Sequence, residues 1–405
     1  MYLSNPRHID HVKCINAGLV YKTIEQMGQI SRIELSKLSQ LAPASITKIT
    51  RELIDAQLIE QTQDQIFASR GRPATGLVIK YDSWQFIAIR IGLGVGTIAL
   101  HEMSTEILVD SPFEIHPSAQ QSVSDIVNSA LDHFLHTYAQ RIENLICVSV
   151  IVQGEIDFIN GVVNAIPHYN LSHWHIVDEL YAKIHLPILL DKDVHAWALA
   201  ESIFGNSQQD NNSILISMQQ TISIGIILDH EVVNSSSCNV GDISDMQLPL
   251  HNQVGSASLQ SLLSWSHIIK QVKKSLLAGR ESKIQGKDIS IDNICYCAKN
   301  GDDLCQEIIK EFGFYVGKAI ANLLHVFNVE KILIGGELNI AKDIFYPEIL
   351  KVITNEMSES FMSHFKMQQT LFYSEETMPC AALVKRKLYE GELLLQIIEN
   401  TSNNK

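Results

Sequence analysis

The chain has no run of the roughly 18 or more apolar residues that a helix needs to cross a membrane. Met1 to Asp10 lacks the basic-then-apolar pattern of a signal peptide. Cysteine is scarce and odd in number, seven, without framework spacing, which excludes a cystine-stapled secreted scaffold and fits reduced thiols. These absences together predict a cytoplasmic protein. Charge is sparse as well, at 19% of residues with a balance of −14, which spread evenly would repel nucleic acid. Internal repeats are missing. What remains is 405 residues, 46% of them hydrophobic, enough to bury large cores in two or three domains.

The charge is not spread evenly. Residues 1–80 hold ten Lys or Arg against seven Asp or Glu, a net of +3, while the rest of the chain holds 21 against 38, a net of −17. Any contact with phosphates therefore belongs to the amino-terminal end, and the body must stay off them.

That end reads as a winged helix-turn-helix between Asn16 and Lys80. Ala17, Val20, Tyr21 and Ile24 recur at helical spacing, predicting a first helix that stops near Gly28. Ser31-Arg32-Ile33-Glu34 has the form of a capping box, with the serine satisfying an orphan amide and the glutamate reaching back, so a second helix starts there. Leu35, Leu38 and Leu41 carry its apolar face into a turn, and Pro43 suits the first turn of a third helix because its missing amide has no partner there anyway. Ile46, Ile49 and Leu53 then face inward. The opposite side presents Ala44, Thr47, Lys48 and Arg51, flanked by Ser45: small residues that allow close approach, a methyl for thymine, and two cations for phosphate or guanine. Any trihelical cap has a polar outer face, so two further features carry weight. Leu58-Ile59-Glu60 and Gln65-Ile66-Phe67 read as wing strands joined by Gln61 to Asp64. After them comes Arg70-Gly71-Arg72-Pro73, a stiff, doubly charged arm of the kind inserted into narrow minor grooves, or else a linker.

Beyond the arm, strands and helices alternate. Phe86–Leu93 and Thr97–Leu100 form a hairpin, Val123–Ile142 a helix, Leu145–Val152 a buried strand, and Ile156–Val163 a turn between short strands. Leu186–Asp191 is a strand leading into a helix Val194–Phe204, and Ile214–Met218 pairs with Ile222–Leu228. Helices follow near Leu259–Ala278, Ile289–Lys299 and Leu304–Val326, then the strand Lys331–Ile334 ending in Gly335-Gly336.

In this order the landmarks resemble the ROK family, which joins repressors and sugar kinases on an actin-like, two-lobed, ribonuclease H-like α/β fold. The resemblance rests on Asn16-Ala17-Gly18, Ser31-Arg32-Ile33, the string Gln40 to Ile49, Arg70 to Ala74, Lys331 to Gly335, Ala381 to Lys385 and Leu393-Leu394-Leu395, and it spans essentially the whole chain. It implies a winged helix-turn-helix over residues 1–80, a first lobe from 81–194 plus 381–405, and a second lobe with a dimerisation role over 195–380.

Kinases of the family hold ATP with two glycine-rich loops, the first opening on an aspartate. Here the first is Arg90-Ile91-Gly92-Leu93-Gly94-Val95-Gly96-Thr97, with no acid to hold magnesium, and the second is Gln219 to Gly225, with one glycine left. ATP binding is expected to be lost. Asp193 stands where the family has its catalytic base, but without a phosphoryl donor it transfers nothing, and capping the helix that starts at Val194 is its alternative role. Lys192 replaces an asparagine usual in the kinases.

The family's zinc site, one histidine and three thiolates, also has no counterpart. Asp242 and Asp245 fall at the places of its glutamate and histidine, and no cysteine follows until Cys295. Cys295 and Cys297, two apart on a helix, point in different directions and suit core positions. The expectation is a metal-free fold without cofactor, with the segment Asn234–His251 shortened and mobile.

The resemblance thus implies a non-enzymatic, sequence-specific repressor of sugar uptake and metabolism genes that binds a double-stranded DNA operator as a homodimer or tetramer. In glucose-responsive members the relieving signal is a protein partner, the dephosphorylated glucose transporter domain of a phosphotransferase system; in others it is a phosphosugar. Phe134-Leu135, read as an exposed apolar pair on the helix matching the family's partner surface, is the candidate contact, with a core position the alternative. The apolar tail Ala381–Ile398 shows more than one helical face and is expected to pack within the chain and against a second subunit, or to be a core helix only.

Overall fold

The computed structural model describes residues 8–66, 74–171, 173–219, 221–234, 240–251, 254–284, 289–372 and 376–403. The chain divides into two compact units, Met1–Asp193 with Glu376–Lys405, and Val194–Glu375.

The first unit opens with α1 (His8–Met27), β1 (Ile30–Ser31), α2 (Arg32–Ser39), α3 (Pro43–Asp55), β2 (Ile59–Ile66) and β3 (Ala74–Ile79). Ala17, Val20, Tyr21 and Ile24 are buried as the helical spacing requires, and Gly28 follows α1 with φ +72°. Ser31 caps α2: its hydroxyl accepts from the Glu34 amide at 3.3 Å while Glu34 Oε2 accepts from the Ser31 amide at 3.2 Å. Pro43 is the first residue of α3, whose Ile46, Ile49 and Leu53 are buried. On α2 the expectation fails for Leu38, which is 56% exposed, and Leu41 is only half-buried. So short a helix buries one narrow line, and Leu35 and Ser39, four residues apart, take it.

The wing differs from its expected form. Gln61 to Asp64 is not a turn: β2 runs unbroken through it with an irregularity between Thr62 and Gln65, and pairs antiparallel with β3 in a sheet of order β1-β3-β2. The polar run reads as a turn by composition, but pairing with β3 on both sides of the irregularity keeps the backbone extended. Arg70, Gly71, Arg72 and Pro73 lie outside the described residues; in chain order they connect β2 to β3 rather than following the wing.

The first lobe continues with β4 (Gln85–Ile91), β5 (Val95–Glu102), β6 (Ile107–Glu114), α4 (Val123–Thr137), β7 (Leu145–Val152), β8 (Glu155–Asp157), β9 (Val162–Ala165), α5 (Ile176–Ile184) and β10 (Ile188–Lys192). Its sheet has the order β10-β7-β4-β5-β6, parallel from β10 to β4 and antiparallel beyond. The chain then forms α6 (Asp193–Ile203), β11 (Ser213–Met218), β12 (Ile222–Leu228), β13 (Glu231–Val232), β14 (Gln247–Pro249), β15 (Ser256–Ser258), α7 (Leu259–Leu263), α8 (Trp265–Leu277), α9 (Ile291–Lys299), α10 (Asp303–Phe327), β16 (Lys331–Gly335), α11 (Lys342–Glu356), α12 (Glu359–Met362) and β17 (Lys366–Gln369). The second unit's sheet, β13-β12-β11-β16-β17, repeats the first lobe's pattern strand for strand, three antiparallel and then two parallel additions. The duplication is one of topology without a repeat in the residues. The helix expected over Leu259–Ala278 is interrupted at Ser264, whose hydroxyl caps α8 by accepting from the His267 amide at 3.3 Å.

The chain returns to the first unit with α13 (Met378–Glu390) and α14 (Glu392–Asn403), separated by Gly391 at φ +87°. α13 packs on β7, β4 and β10, while both helices pack on α1 and α14 also meets α3. Leu393, Leu394, Leu395, Ile397 and Ile398 are all buried within the one chain. The tail therefore does not present an apolar face for a second subunit, because two sides of α14 are already used against the head and α13; each such side chain contributes about 1.5–3 kcal/mol where it is.

Candidate nucleic-acid interface

The outward face of α3 is as the helical wheel requires: Ala44, Thr47, Lys48 and Arg51 are exposed and Ser45 is half-buried beside them. The Thr47 hydroxyl donates to the Pro43 carbonyl at 2.9 Å, leaving its methyl as the free chemistry. Neither Lys48 nor Arg51 is ion-paired among the described residues, so both cations are available to an anionic surface. Behind this face, Arg32 Nε donates to Thr50 Oγ1 at 3.0 Å and Ser36 Oγ to the Leu41 carbonyl at 2.7 Å, setting α2 against α3 and closing the turn between them. Sequence reasoning missed this bracing; an arginine at the start of α2 opposite a threonine on the inner side of α3 is a signal only when the helix pair is already known.

At the first glycine-rich loop the chemistry is occupied by the protein itself. The Arg90 guanidinium folds against the loop, so that a β-carbon at Gly92 would lie 3.0 Å from its Nη1, and it faces Glu376 at 3.6 Å. The Thr97 hydroxyl donates to Glu376, the Gly94 amide to the Tyr169 hydroxyl at 2.5 Å, and Gly96 lies under the Phe113 ring. At the second loop, Gly225 is small because the Val194 carbonyl sits where its β-carbon would be, at 2.4 Å. At the first loop the Gly92 and Gly94 amides are already bonded, to the Val95 carbonyl and the Tyr169 hydroxyl, and at the second Gly225 serves close packing. Asp193 is buried and is the first residue of α6, one position inside the helix it was expected to precede. A carboxylate there is favoured by the helix amides without any catalytic role. Beside it, Asp191 accepts from the Lys192 amide at 2.8 Å and from Arg386 at 3.2 Å.

The residues at the zinc-cluster positions do not fit a metal. Asp242 and Asp245 are both exposed, and Asp242 Oδ1 accepts from the Ser244 amide at 3.0 Å. No three His, Cys, Asp or Glu side chains gather around a common point among the described residues. Cys295 is buried on the unbroken helix α9 and Cys297 half-buried, where apolar surroundings push both thiols above their ordinary pKa, Cys295 to about 12. The described part of the segment expected to be mobile is instead pinned. His195 Nε2 lies 3.1 Å from the Val240 carbonyl, the Ile224 amide donates to the Gly241 carbonyl at 2.7 Å, and Ile243 and Leu248 are buried in the core.

The partner-contact pair also needs correction. Phe134 is fully buried with Val123, Val127 and Leu131, its ring 5.0 Å from that of Tyr138, and Leu135 is half-buried. Phe134 completes the inward stripe of α4 and presents nothing to a partner.

The geometry defines a winged helix-turn-helix followed by a duplicated α/β body whose first glycine-rich loop is packed with its own side chains. The chain belongs to the ROK family, whose model matches residues 86–385. It is 32% identical to the DNA-binding transcriptional repressor Mlc of Escherichia coli K12 over 401 residues, 98% of this chain and 99% of that one. It is also 32% identical to the DNA-binding transcriptional dual regulator NagC of the same strain, over 97% and 98% of the two chains. Among solved structures, a ROK family transcriptional regulator described as a homologue of E. coli Mlc superposes with a TM-score of 0.88 at 42% identity, covering 96% of this chain and all of that one. Head and body are thus shared with regulators over their whole lengths, and the protein stands with the regulators of the family, not with its kinases. No described helix is long and apolar enough to cross a membrane.

Proposed function

We propose that this protein is a sugar-responsive transcriptional repressor that reads a duplex operator with the outward face of α3. The observation that carries the reading is the set Ala44, Thr47, Lys48 and Arg51, exposed together on a helix whose opposite side is fixed by buried Ile46, Ile49 and Leu53. Ser45 flanks the contact, and Arg70 and Arg72, between the wing strands in chain order, supply a minor-groove arm. One such helix reads only a few base pairs, so two copies of the chain on a palindromic site are the expected assembly. The body stays off the phosphates through its net negative charge, and the first glycine-rich loop, packed with Arg90, Thr97 and Glu376, supports a sensor that handles no nucleotide.

For relief of repression the proposal is capture by a protein partner, the dephosphorylated domain of a sugar transporter, on the solvent-facing side of α4, where Asp132, His133 and His136 are exposed beside the half-buried Leu135. The equal similarity to N-acetylglucosamine repressors, 32% over 97% of the chain, supports a second reading in which a phosphosugar is the signal. Duplex selection from a random pool tests the first claim: the full-length chain enriches a palindrome, and Arg51→Ala and Arg72→Ala weaken the enrichment, Arg51→Ala with selectivity relaxed at one position. A chain that enriches nothing at low ionic strength, yet turns over ATP with a hexose, overturns the reading.

A further inference from the structure

One carboxylate of the head gathers groups from 56 to 364 residues away in the chain. Glu25, near the end of α1, accepts from the Tyr81 hydroxyl at 3.2 Å, from the Tyr389 hydroxyl at 2.7 Å and from the Lys385 ammonium. The Lys385 side chain is 4% exposed and its Nζ also lies 5.2 Å from the centre of the Tyr81 ring. The buried Tyr21 hydroxyl closes the cluster without a hydrogen-bond partner among the described residues. On either side the backbones touch: a β-carbon at Gly18 would lie 2.0 Å from the Tyr389 carbonyl oxygen, and one at Gly391 1.9 Å from that of Cys14. α13, which carries Lys385 and Tyr389, rests on the first lobe's sheet, and α14, which follows it, touches α3. A continuous packed path thus runs from the sheet through α13 to α1, and from α14 to the recognition helix. None of Glu25, Tyr81, Lys385 or Tyr389 lies on the outward face of α3.

We propose that Glu25, Tyr81, Lys385 and Tyr389 form the joint that fixes the angle at which α3 is presented to DNA, making them positioning residues for operator recognition. The proposal rests on α3 being the DNA-reading element. A buried pair that loses one member leaves an uncompensated charge, so removing the Glu25 carboxylate loosens the joint without touching any DNA-contacting group. A two-part operator requires both recognition helices at a set separation and rotation, and one added base pair turns a half-site by about a tenth of a helical turn. A stiff joint makes affinity sensitive to that step, and a loose one flattens the sensitivity.

The test uses full-length protein and a palindromic duplex selected by the wild type. Affinities of wild type, Glu25→Gln, Glu25→Asp and Tyr389→Phe are compared for that duplex, for the same duplex with one base pair inserted at its centre, and for a non-cognate duplex. All are measured well below the melting transition. Glu25→Gln is expected to weaken cognate binding by about tenfold and to shrink the spacing preference by about threefold, leaving non-cognate affinity within about twofold. Glu25→Asp recovers part of the preference. Should Glu25→Gln not fold, Tyr389→Phe, which removes one hydrogen bond, carries the same comparison. Folded variants with wild-type affinity and spacing preference overturn the joint alone, because a merely stabilising cluster lowers the melting temperature and moves neither quantity. A wild type that selects no duplex overturns the DNA-reading assignment, and this proposal with it.

Discussion

Arg32 donates through Nε to the hydroxyl of Thr50 at 3.0 Å, and Thr50 is fully buried on the inner side of α3. The bond runs from the first residue of α2 to the middle of α3, so the pair sets how one helix lies against the other. Thr50→Val keeps the volume and removes the acceptor; Arg32→Ala removes the donor. Each is expected to destabilise the head by about 1–2 kcal/mol, and a double-mutant cycle on thermal unfolding should show non-additivity of similar size. Additive effects would mean that the contact holds nothing.

Lys48 and Arg51 are the cations on the exposed face of α3. If Lys48 meets a phosphate, Lys48→Ala weakens all duplexes alike and lowers the slope of log affinity against log salt by about 1. Arg51→Ala should cost about 1–3 kcal/mol on the selected operator and relax selectivity at a single position, as read by competition binding.

His101 is buried between the Thr105 carbonyl and the Thr377 hydroxyl, each 3.0 Å from a ring nitrogen, and stacks on Phe86. Burial lowers its pKa to about 4. In the unfolded chain the ring takes up a proton near pH 6.5. The native state therefore binds fewer protons between these values, and its stability, fully present above pH 6.5, falls as pH drops toward 4. The loss attributable to this residue is about 3 kcal/mol at most. Denaturant melts of wild type and His101→Gln should converge with acid: the variant is less stable at neutral pH but has a shallower pH dependence from 6.5 to 4. Parallel profiles would remove His101 from the account.

Gly391 joins α13 to α14 at φ +87°, with the Cys14 carbonyl oxygen where a β-carbon would be. Gly391→Ala combines an unfavourable backbone region with a backbone clash, and about 3 kcal/mol or more of destabilisation is expected. An unchanged melting temperature would show that the helix pair is not held as described.

At the zinc-cluster positions Asp242 and Asp245 are exposed, and no third metal-ligating side chain joins them among the described residues. Elemental analysis of purified protein is expected to give zinc well below one equivalent, with a melting curve indifferent to chelators. Stoichiometric zinc surviving mild chelation would require a ligand set other than these residues.

Much of the head was legible in the sequence because its signals are local. A capping box, a proline at the first helical position and a stripe of isoleucines each act within a few residues. The wing was read only in part: β3 begins at Ala74, directly after a charged Gly-Pro segment that looks like punctuation, so the partner that keeps Glu60 to Gln65 extended was not recognised. Phe134 was within reach, since Val123, Val127, Leu131 and Phe134 fall on one helical face. Nothing local marks Glu25 as a hub, because its partners lie in other elements and at the other end of the chain. At the first glycine-rich loop the sequence showed the missing acid; that Arg90, Thr97 and Glu376 occupy it required the tertiary structure.

The Glu25 to Lys385 contact closes across 360 residues. Tyr389 lies 364 residues after Glu25, so the head is synthesised long before the helix that braces it. A chain interrupted between them holds α1 and α3 without that support, and folding of the head to its final geometry must wait for α13.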